Sequence, residues 1–179
     1  MRYKSDRILG PDRKCKNLIG SVTLNGSSIL FINVYFTVTC HEKYEEYIMF
    51  LGILSSIHES HEDDHACMLR DFNAKPCSPR FNEMCDMLHD NNLMFRDTDI
   101  LPDNTFTYVN KGSQTCSLLD RITMSDVLSE TTVDCRTLQD VACSGHCAIT
   151  VTLLLDQLQM INSIEGQKAK HINWKFEDA

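Results

Sequence analysis

Apolar side chains recur at helical spacing in two parts of this chain, and both patterns predict amphipathic helices. The first predicted helix covers residues 42–58 and carries a stripe formed by Tyr44, Tyr47, Ile48, Leu51, Leu54 and Ile57. The second is marked by Phe81, Met84, Cys85 and Leu88, and the pair Asn91-Asn92 suits its carboxyl end.

Short runs rich in β-branched and aromatic residues predict strands around these helices. Residues 22–24 and 29–35 flank Asn25-Gly26, a strong two-residue signal for a β-hairpin. A strand is predicted at 66–70, and its residues 66–69 form an apolar run without alternation, which favours burial on both faces. Further strands are predicted at 105–108 and 118–124, joined through Asn110-Lys111-Gly112, and at 131–138 and 148–155. Because strands and helices mix without a strict βαβ rhythm, we expect an α/β (α+β) fold with a mixed sheet or two packed sheets.

One domain is expected over residues 20–155, and no internal repeat or Pro/Gly-rich linker divides the chain. Before it, residues 1–19 form an N-terminal segment in which Arg7, Arg13, Lys14 and Lys16 cluster. We interpret this cluster as a solvated loop, and a basic face is the alternative. After it, residues 156–179 become polar and are interpreted as a tail or linker.

Composition narrows the classes of protein that this chain represents. Hydrophobic residues make up 42% of its 179 residues, which is typical of a soluble globular protein. No apolar run approaches the ~20 residues that cross a bilayer, so no membrane partner is expected. No apolar leader follows Met1, which favours an intracellular protein, nuclear or cytoplasmic, whose nine cysteines are free thiols. The net charge of −8 argues against non-specific binding of nucleic acid, because that affinity comes largely from Lys and Arg.

The stretch CMLRDFNAKP (67–76) leads an apolar strand into two polar residues, Asp71 and Asn73, two positions apart. Sheets that contain parallel strands commonly carry their chemistry at the carboxyl ends of those strands. The alternative is an Asx turn, since Asp and Asn readily bond their own backbone. This pattern alone favours the turn.

A second candidate site is HESHEDDHAC (58–67), where His58, His61 and His65 recur at helical spacing near acidic residues and Cys67. Such a set could indicate zinc. However, a strand must begin near Ala66, so one helix does not carry all three histidines. We therefore favour a solvated helix end followed by an acidic loop.

Four stretches, in order along the chain, resemble motifs of the endonuclease/exonuclease/phosphatase superfamily. They are NVYFTV (33–38), RDFN (70–73), SLLDRITMS (117–125) and SGHCAITV (144–151), beside the family patterns vYxP, GDFN, lDyv and SDHxpi. The variety that the chain resembles most is the apurinic-type endonuclease domain of LINE retrotransposons. The resemblance covers about residues 20–155 and implies two packed mixed β-sheets flanked by helices, a four-layer sandwich.

The resemblance also implies a Mg²⁺-dependent phosphodiesterase that nicks DNA, with roles for five residues. Asp71 would orient or deprotonate the attacking water, and Asn73 would hold the scissile phosphate. His146 would contact the phosphoryl oxygens, Asp120 would hold the His146 imidazole, and Tyr35 would donate a hydrogen bond to the phosphate. Mg²⁺ would take up charge on the leaving group.

Departures from the family pattern bear on the metal and on catalysis. Arg70 stands in place of the Gly of GDFN, Gly145 in place of the Asp of SDH, and Thr37 in place of the Pro of vYxP. Nothing before residue 20 resembles the family strands that supply a metal-site Asn and the main Glu ligand. We therefore expect the front portion of the domain to be missing and the copy to be catalytically impaired. Missing strands would leave a sheet face or edge exposed, which favours self-association.

Two other functions stay open at this point. A non-catalytic remnant of the same fold would serve as a structural or binding module. A different enzyme of the superfamily would act on inositol phosphates or sphingomyelin, although no lipid- or inositol-specific signature is visible.

Overall fold

Ten strands and four helices make up the described part of this computed structural model, which comprises residues 2–9, 16–24, 26–36, 44–143, 145–156 and 158. The strands are β1 (Arg2–Leu9), β2 (Lys16–Leu24), β3 (Ser27–Tyr35), β4 (His65–Asp71), β5 (Leu93–Phe95), β6 (Tyr108–Asn110), β7 (Thr115–Ser117), β8 (Asp120–Ser125), β9 (Thr132–Cys143) and β10 (His146–Leu153). The helices are α1 (Tyr44–Ser60), α2 (Pro79–Asp90), α3 (Asp97–Ile100) and α4 (Asp126–Glu130).

The described strands form one sheet of six strands and one of four. The larger sheet has the order β1-β2-β3-β4-β8-β5, in which β3 and β4 run parallel and the other neighbours run antiparallel. The smaller sheet has the order β7-β6-β10-β9, and its described pairs are all antiparallel. The prediction of two packed sheets flanked by helices is confirmed, although only the larger sheet is mixed.

Two apolar clusters hold these layers together. One lies between the larger sheet and the helices α1 and α2, and it includes Leu54 and Met68. The other lies between the two sheets, where Cys67 of β4 packs with Ile122 of β8 and with residues of β9 and β10. Cys67 and Met68 are both fully buried, so β4 is covered on both faces, as its unbroken apolar run predicts. Leu158, within the predicted tail, is buried in the same intersheet cluster, and residues 159–179 lie outside the described part.

Helices α1 and α2 confirm the two predicted helices. Four residues of the predicted stripe on α1 are buried, whereas Tyr44 and Ile48 lie at the surface. Ahead of α2, Ser78 Oγ accepts the N–H of Phe81 at 3.3 Å, and the helix ends at Asn91, as predicted. Among the described residues, no helix combines the length and apolar character that a membrane crossing requires.

The predicted hairpin is formed by β2 and β3, with Leu24 opposite Ser27. Gly26 has a φ of 97°, a conformation that glycine adopts without steric cost. Asn25 of the predicted turn and residues 42–43 of the first predicted helix lie outside the described residues.

The N-terminal segment contains a strand that the sequence pattern does not predict. Residues 2–9 form β1, which pairs antiparallel with β2 over its whole length. The solvated-loop interpretation is therefore wrong for Arg7 and Lys16, whereas Arg13 and Lys14 lie outside the described residues. Main-chain hydrogen bonds join such an edge strand to its neighbour whatever its side-chain pattern, which is why apolar periodicity does not reveal it.

The strands predicted at residues 105–108 and 118–124 are not joined directly, because a further strand, β7, lies between them. β6 pairs instead with β7, across a turn in which Asn110 Oδ1 accepts the N–H of Gly112 at 2.9 Å and of Ser113 at 3.2 Å. β8 begins at Asp120 and lies in the other sheet, between β4 and β5. The Asx-type turn closes the β6–β7 hairpin early, so the chain is free to cross between sheets before β8.

A buried ion pair anchors β8 next to the residue that begins it. Arg121 Nε lies 2.6 Å from Asp97 Oδ2, and both side chains are almost fully buried. Asp97 Oδ1 also accepts the N–H of Ile122 at 3.2 Å, and the Arg121 guanidinium lies 4.3 Å from the centre of the Phe95 ring. Removing either charge would leave the other buried and unpaired, which costs about 3–5 kcal/mol in such pairs.

The outer edge of the smaller sheet leads to a prediction about association. Among the described strands, β9 pairs only with β10, and Val133 on β9 and Leu154 after β10 are 53% and 47% exposed. An open strand edge beside apolar side chains favours pairing with a second copy. We therefore expect the isolated chain to self-associate, with a mass that rises with concentration in light scattering after size-exclusion chromatography.

Val133→Lys should shift this equilibrium towards the monomer, because it places a charge on the open edge. Met49→Lys changes an equally exposed apolar residue on α1 and serves as the matched control. A wild-type chain that stays monomeric at every concentration would contradict the prediction.

Candidate active site

A cleft of about 520 Å³ opens where the carboxyl ends of β3 and β4 and the first residue of β8 meet the start of β10. It is lined by Asn33, Tyr35, Leu69, Arg70, Asp71, Asp120, His146, Cys147, Ala148 and Ile149. Four of the five predicted site residues are in this set, and the fifth, Asn73, is hydrogen-bonded to Asp71. The structure thus brings all five together.

Strand register places three of these residues in one row. Tyr35 stands opposite Asp71 in the parallel pair β3–β4, and Asp71 stands opposite Asp120 in the antiparallel pair β4–β8. Residues directly opposed on neighbouring strands lie about 5 Å apart and share a face of the sheet. The row therefore brings two carboxylates and a phenol to the same side of the cleft.

Asp71 and Asn73 form the turn that the sequence suggests, and the turn also shapes the cleft. The N–H of Asn73 donates to Asp71 Oδ1 at 2.9 Å, which is an Asx turn, and Asn73 Nδ2 donates to Asp71 Oδ2 at 2.8 Å. Asn73 Nδ2 also donates to the carbonyl oxygen of Phe36. Asn73 takes a φ of 48°, which asparagine tolerates better than most residues. The turn and a functional carboxylate are therefore compatible, because the turn fixes the Asp71 side chain at the cleft.

His146 lies between the two carboxylates. Its Nδ1 is 2.8 Å from Asp120 Oδ2, within hydrogen-bond distance, and its Nε2 is 4.0 Å from Asp71 Oδ2. The Tyr108 ring packs against the imidazole with 4.7 Å between ring centres. Because a carboxylate at this distance accepts a hydrogen bond from Nδ1–H, Asp120 orients the ring and directs Nε2 into the cleft.

The environment of Asp71 favours its protonated form. The pKa of this carboxyl is raised from 3.8 to about 6, chiefly by burial and also by the neighbouring charge of Asp120. The N–H of Asn73 and the imidazole of His146 act in the opposite direction and lower it. A carboxyl with a pKa near 6 is ionised at neutral pH and remains basic enough to accept a proton from water.

Thr107 is a positioning residue that the sequence pattern does not reveal. Its buried Oγ1 accepts the N–H of Leu119 at 3.0 Å and of Asp120 at 2.9 Å, and its carbonyl accepts the N–H of Cys147 at 2.7 Å. One residue thus ties the start of β8 to the start of β10 and holds Asp120 beside His146. Thr107 lies 13 positions before Asp120, and no local spacing rule connects residues at that separation.

Solved structures of several nucleases and phosphatases share this topology. A 3′ phosphatase from Neisseria, NExo, bound to product DNA hairpin, matches with a TM-score of 0.65 and 17% identity over 83% of this chain and 70% of that one. An AP endonuclease from Archaeoglobus fulgidus gives 0.61 and 17% over 83% and 70% of the two chains. The endonuclease domain of TRAS1, a telomere-specific non-LTR retrotransposon, gives 0.60 and 15% over 84% and 69%. No protein-family model matches the chain, and no curated protein sequence matches it significantly.

Structural similarity over more than four fifths of the chain, with TM-scores above 0.6, decides the assignment. The chain has the endonuclease/exonuclease/phosphatase fold. The resemblance inferred from the four motifs is confirmed at the level of this fold.

Two departures from the motifs of this fold fall where the backbone adopts positive φ. Arg70, in place of the motif glycine, has a φ of 100°, which costs a residue with a side chain about 1–3 kcal/mol. Gly145, in place of the motif aspartate, has a φ of 90°, and a Cβ there would lie 2.8 Å from the carbonyl oxygen of Val109. An aspartate at position 145 therefore does not fit without a shift of the backbone.

The cleft does not provide a metal site from its described residues. Nucleases of this fold generally use divalent metal ions, but no three His, Cys, Asp or Glu side chains in the described part are placed to hold one. Both oxygens of Asp71 accept hydrogen bonds from Asn73, and Asp120 Oδ2 faces His146 Nδ1. Mg²⁺ requires near-octahedral oxygen coordination, and two engaged carboxylates do not supply it.

The histidines considered for zinc have other partners. His58 Nδ1 lies 3.1 Å from Asn91 Oδ1, and His61 Nδ1 lies 2.7 Å from the carbonyl oxygen of Ile57. His65 belongs to β4, because α1 ends at Ser60. The interpretation as a helix end followed by an acidic loop agrees with this arrangement.

Replacing Thr107 should weaken the fold through the loss of one hydroxyl. Thr107→Val keeps the side-chain shape but leaves two N–H groups without an acceptor, so we expect the free energy of unfolding to fall by about 2–4 kcal/mol. Thr107→Ser keeps the hydroxyl and should cost only about 1 kcal/mol for the lost methyl group. Urea denaturation measures both, and equal losses would show that the hydroxyl is unimportant.

The raised pKa of Asp71 predicts a pH dependence of stability. Because the folded-state pKa of about 6 exceeds the ordinary value of 3.8, the contribution of this carboxyl is most favourable below pH 3.8 and is lost as the pH rises through 6. The loss is at most about 3 kcal/mol. Asp71→Asn does not titrate, so its stability relative to the wild type should rise between pH 4 and pH 7 in chemical denaturation. A constant difference over that range would show that Asp71 titrates normally.

Proposed function

We propose that this chain is a nuclease-like domain that binds DNA phosphodiesters in the cleft and whose Mg²⁺-dependent nicking is impaired. The observation that carries the proposal is the placement of His146 between Asp120 and Asp71, in a cleft that Tyr35 also lines. His146 and the two carboxylates can act together as acid and base at the edge of the sheet. The pairing of β4 with β8 fixes the positions of both carboxylates.

Each residue has a role that follows from its contacts. Asp120 holds the His146 imidazole so that Nε2 faces the bound phosphate and hydrogen-bonds to its oxygens. Asp71, ionised at neutral pH, accepts the proton of the attacking water. Asn73 holds Asp71 in place through hydrogen bonds to both of its carboxylate oxygens, and the Tyr35 hydroxyl donates to a phosphate oxygen. Orienting the water and stabilising developing charge are the main ways in which such a site accelerates hydrolysis.

Impairment follows from the missing ligands. When bound, Mg²⁺ neutralises charge on the leaving group in reactions of this kind, but the described residues offer too few oxygen ligands to hold it tightly. The net charge of −8 also lowers the attraction between the chain and a polyanionic strand. We therefore infer feeble nicking or none.

DNA as the partner and a retrotransposon as the origin are part of the proposal. Among the structures that share the fold, one is bound to product DNA hairpin and another is the endonuclease domain of a non-LTR retrotransposon. The four motifs resemble LINE endonuclease domains, and such a chain would act inside the cell, in the nucleus or the cytoplasm.

A non-catalytic binding module is the second candidate. It is favoured because no three His, Cys, Asp or Glu side chains in the described part are placed to hold a metal ion. In that case the cleft would hold a phosphodiester without cleaving it. Catalysis and binding can be tested separately, because plasmid nicking measures catalysis and DNA affinity measures binding.

A supercoiled-plasmid nicking assay tests the proposal. In Mg²⁺ we expect a rate close to background, and any activity above background should disappear with a chelator and in Asp71→Ala. Asp103→Ala removes an exposed carboxylate that does not line the cleft and should retain the wild-type rate. Fast, chelator-sensitive nicking that Asp71→Ala abolishes would contradict impairment, and identical background rates in all variants would favour the binding module.

A further inference from the structure

Among the described residues that line the cleft, Arg70 is the one lysine or arginine. It lies in β4 immediately before Asp71, its side chain is exposed, and it forms no ion pair within the described part of the chain. A guanidinium without a carboxylate partner is available to an external anion, and its planar N–H groups match phosphate oxygens.

The Arg70 guanidinium also lies over the ring of Tyr35, with 5.8 Å between Cζ and the ring centre. This cation–π contact places the group over Tyr35, which stands in the same row as Asp71 and Asp120. The cation therefore lies at the cleft, over the phenol ring, and not on a distant surface.

Backbone conformation gives a second, independent observation. At a φ of 100° an arginine is strained where a glycine would not be. Strained non-glycine residues cluster at ligand-binding and catalytic sites, where the local geometry has a use. Arg70 is thus a strained residue whose side chain lines the cleft.

We propose that Arg70 binds a phosphate of the DNA strand and gives this cleft a metal-independent affinity for phosphodiesters. The inference rests on the proposed function in taking DNA as the ligand. In this chain a fixed side-chain charge, in place of a bound metal ion, attracts the phosphate. Binding should therefore persist in a chelator, although nicking does not.

The test is fluorescence anisotropy of a labelled DNA duplex in EDTA, with the wild type, Arg70→Gly and Arg70→Lys. Arg70→Gly removes the cation and also relieves the strained φ, so its thermal stability should equal or exceed that of the wild type. We expect Arg70→Gly to bind about tenfold more weakly and the slope of log affinity against log salt to fall by about 0.9, the value for one phosphate contact. Arg70→Lys keeps the charge and should retain most of the salt slope.

Arg136→Ala is the matched control, because it removes one exposed positive charge from β9, outside the cleft. Its affinity should stay within about twofold of the wild type. Equal affinities for the wild type and Arg70→Gly, or equal losses in Arg70→Gly and Arg136→Ala, would overturn the role of Arg70. Binding that requires Mg²⁺ would overturn metal independence but leave the proposed function standing. A wild-type chain that binds no DNA with or without Mg²⁺ would instead contradict the proposed function itself.

Discussion

The cleft exists because β4 is fixed in register with a strand on each side. Tyr35, Asp71 and Asp120 share one row, and a slip of one residue in either pair would turn a site residue to the opposite face of the sheet. That slip is opposed by the core, since Cys67 and Met68 are buried in different clusters on opposite faces of β4. Packing of the apolar residues of β4 therefore determines the position of the Asp71 carboxylate at the end of that strand.

Two neighbouring carboxylates in a partly buried site need nearby groups that stabilise their charge. Asn73 donates to both oxygens of Asp71, His146 faces Asp120, and Thr107 holds the backbone from which Asp120 projects. This compensation uses hydrogen bonds in place of cations, and it leaves little coordination capacity for a metal. Under the proposed function, the same contacts that stabilise the site would limit Mg²⁺-dependent chemistry.

The departures at Arg70 and Gly145 have different physical meanings. At Gly145 the backbone conformation and the nearby carbonyl of Val109 exclude a side chain. The loop in this conformation therefore has no room for the motif aspartate. At Arg70 the backbone would suit glycine, and a long cationic side chain is present despite the strain. One departure leaves the loop without a carboxylate, and the other adds a positive charge to the cleft.

The sequence by itself determined the two amphipathic helices, the β2–β3 hairpin, the buried β4 and, through four ordered motifs, the fold and the residues that meet in the cleft. These features depend on local periodicity and turn chemistry, which a single sequence displays. Only the tertiary structure decided that β1 joins the sheet, that β6 pairs with β7 and not with β8, that Thr107 ties Asp120 to His146, and that Arg70 lies over Tyr35. Each of these depends on main-chain pairing or on contacts between residues far apart along the chain, and such contacts leave no periodic trace in the order of the amino acids.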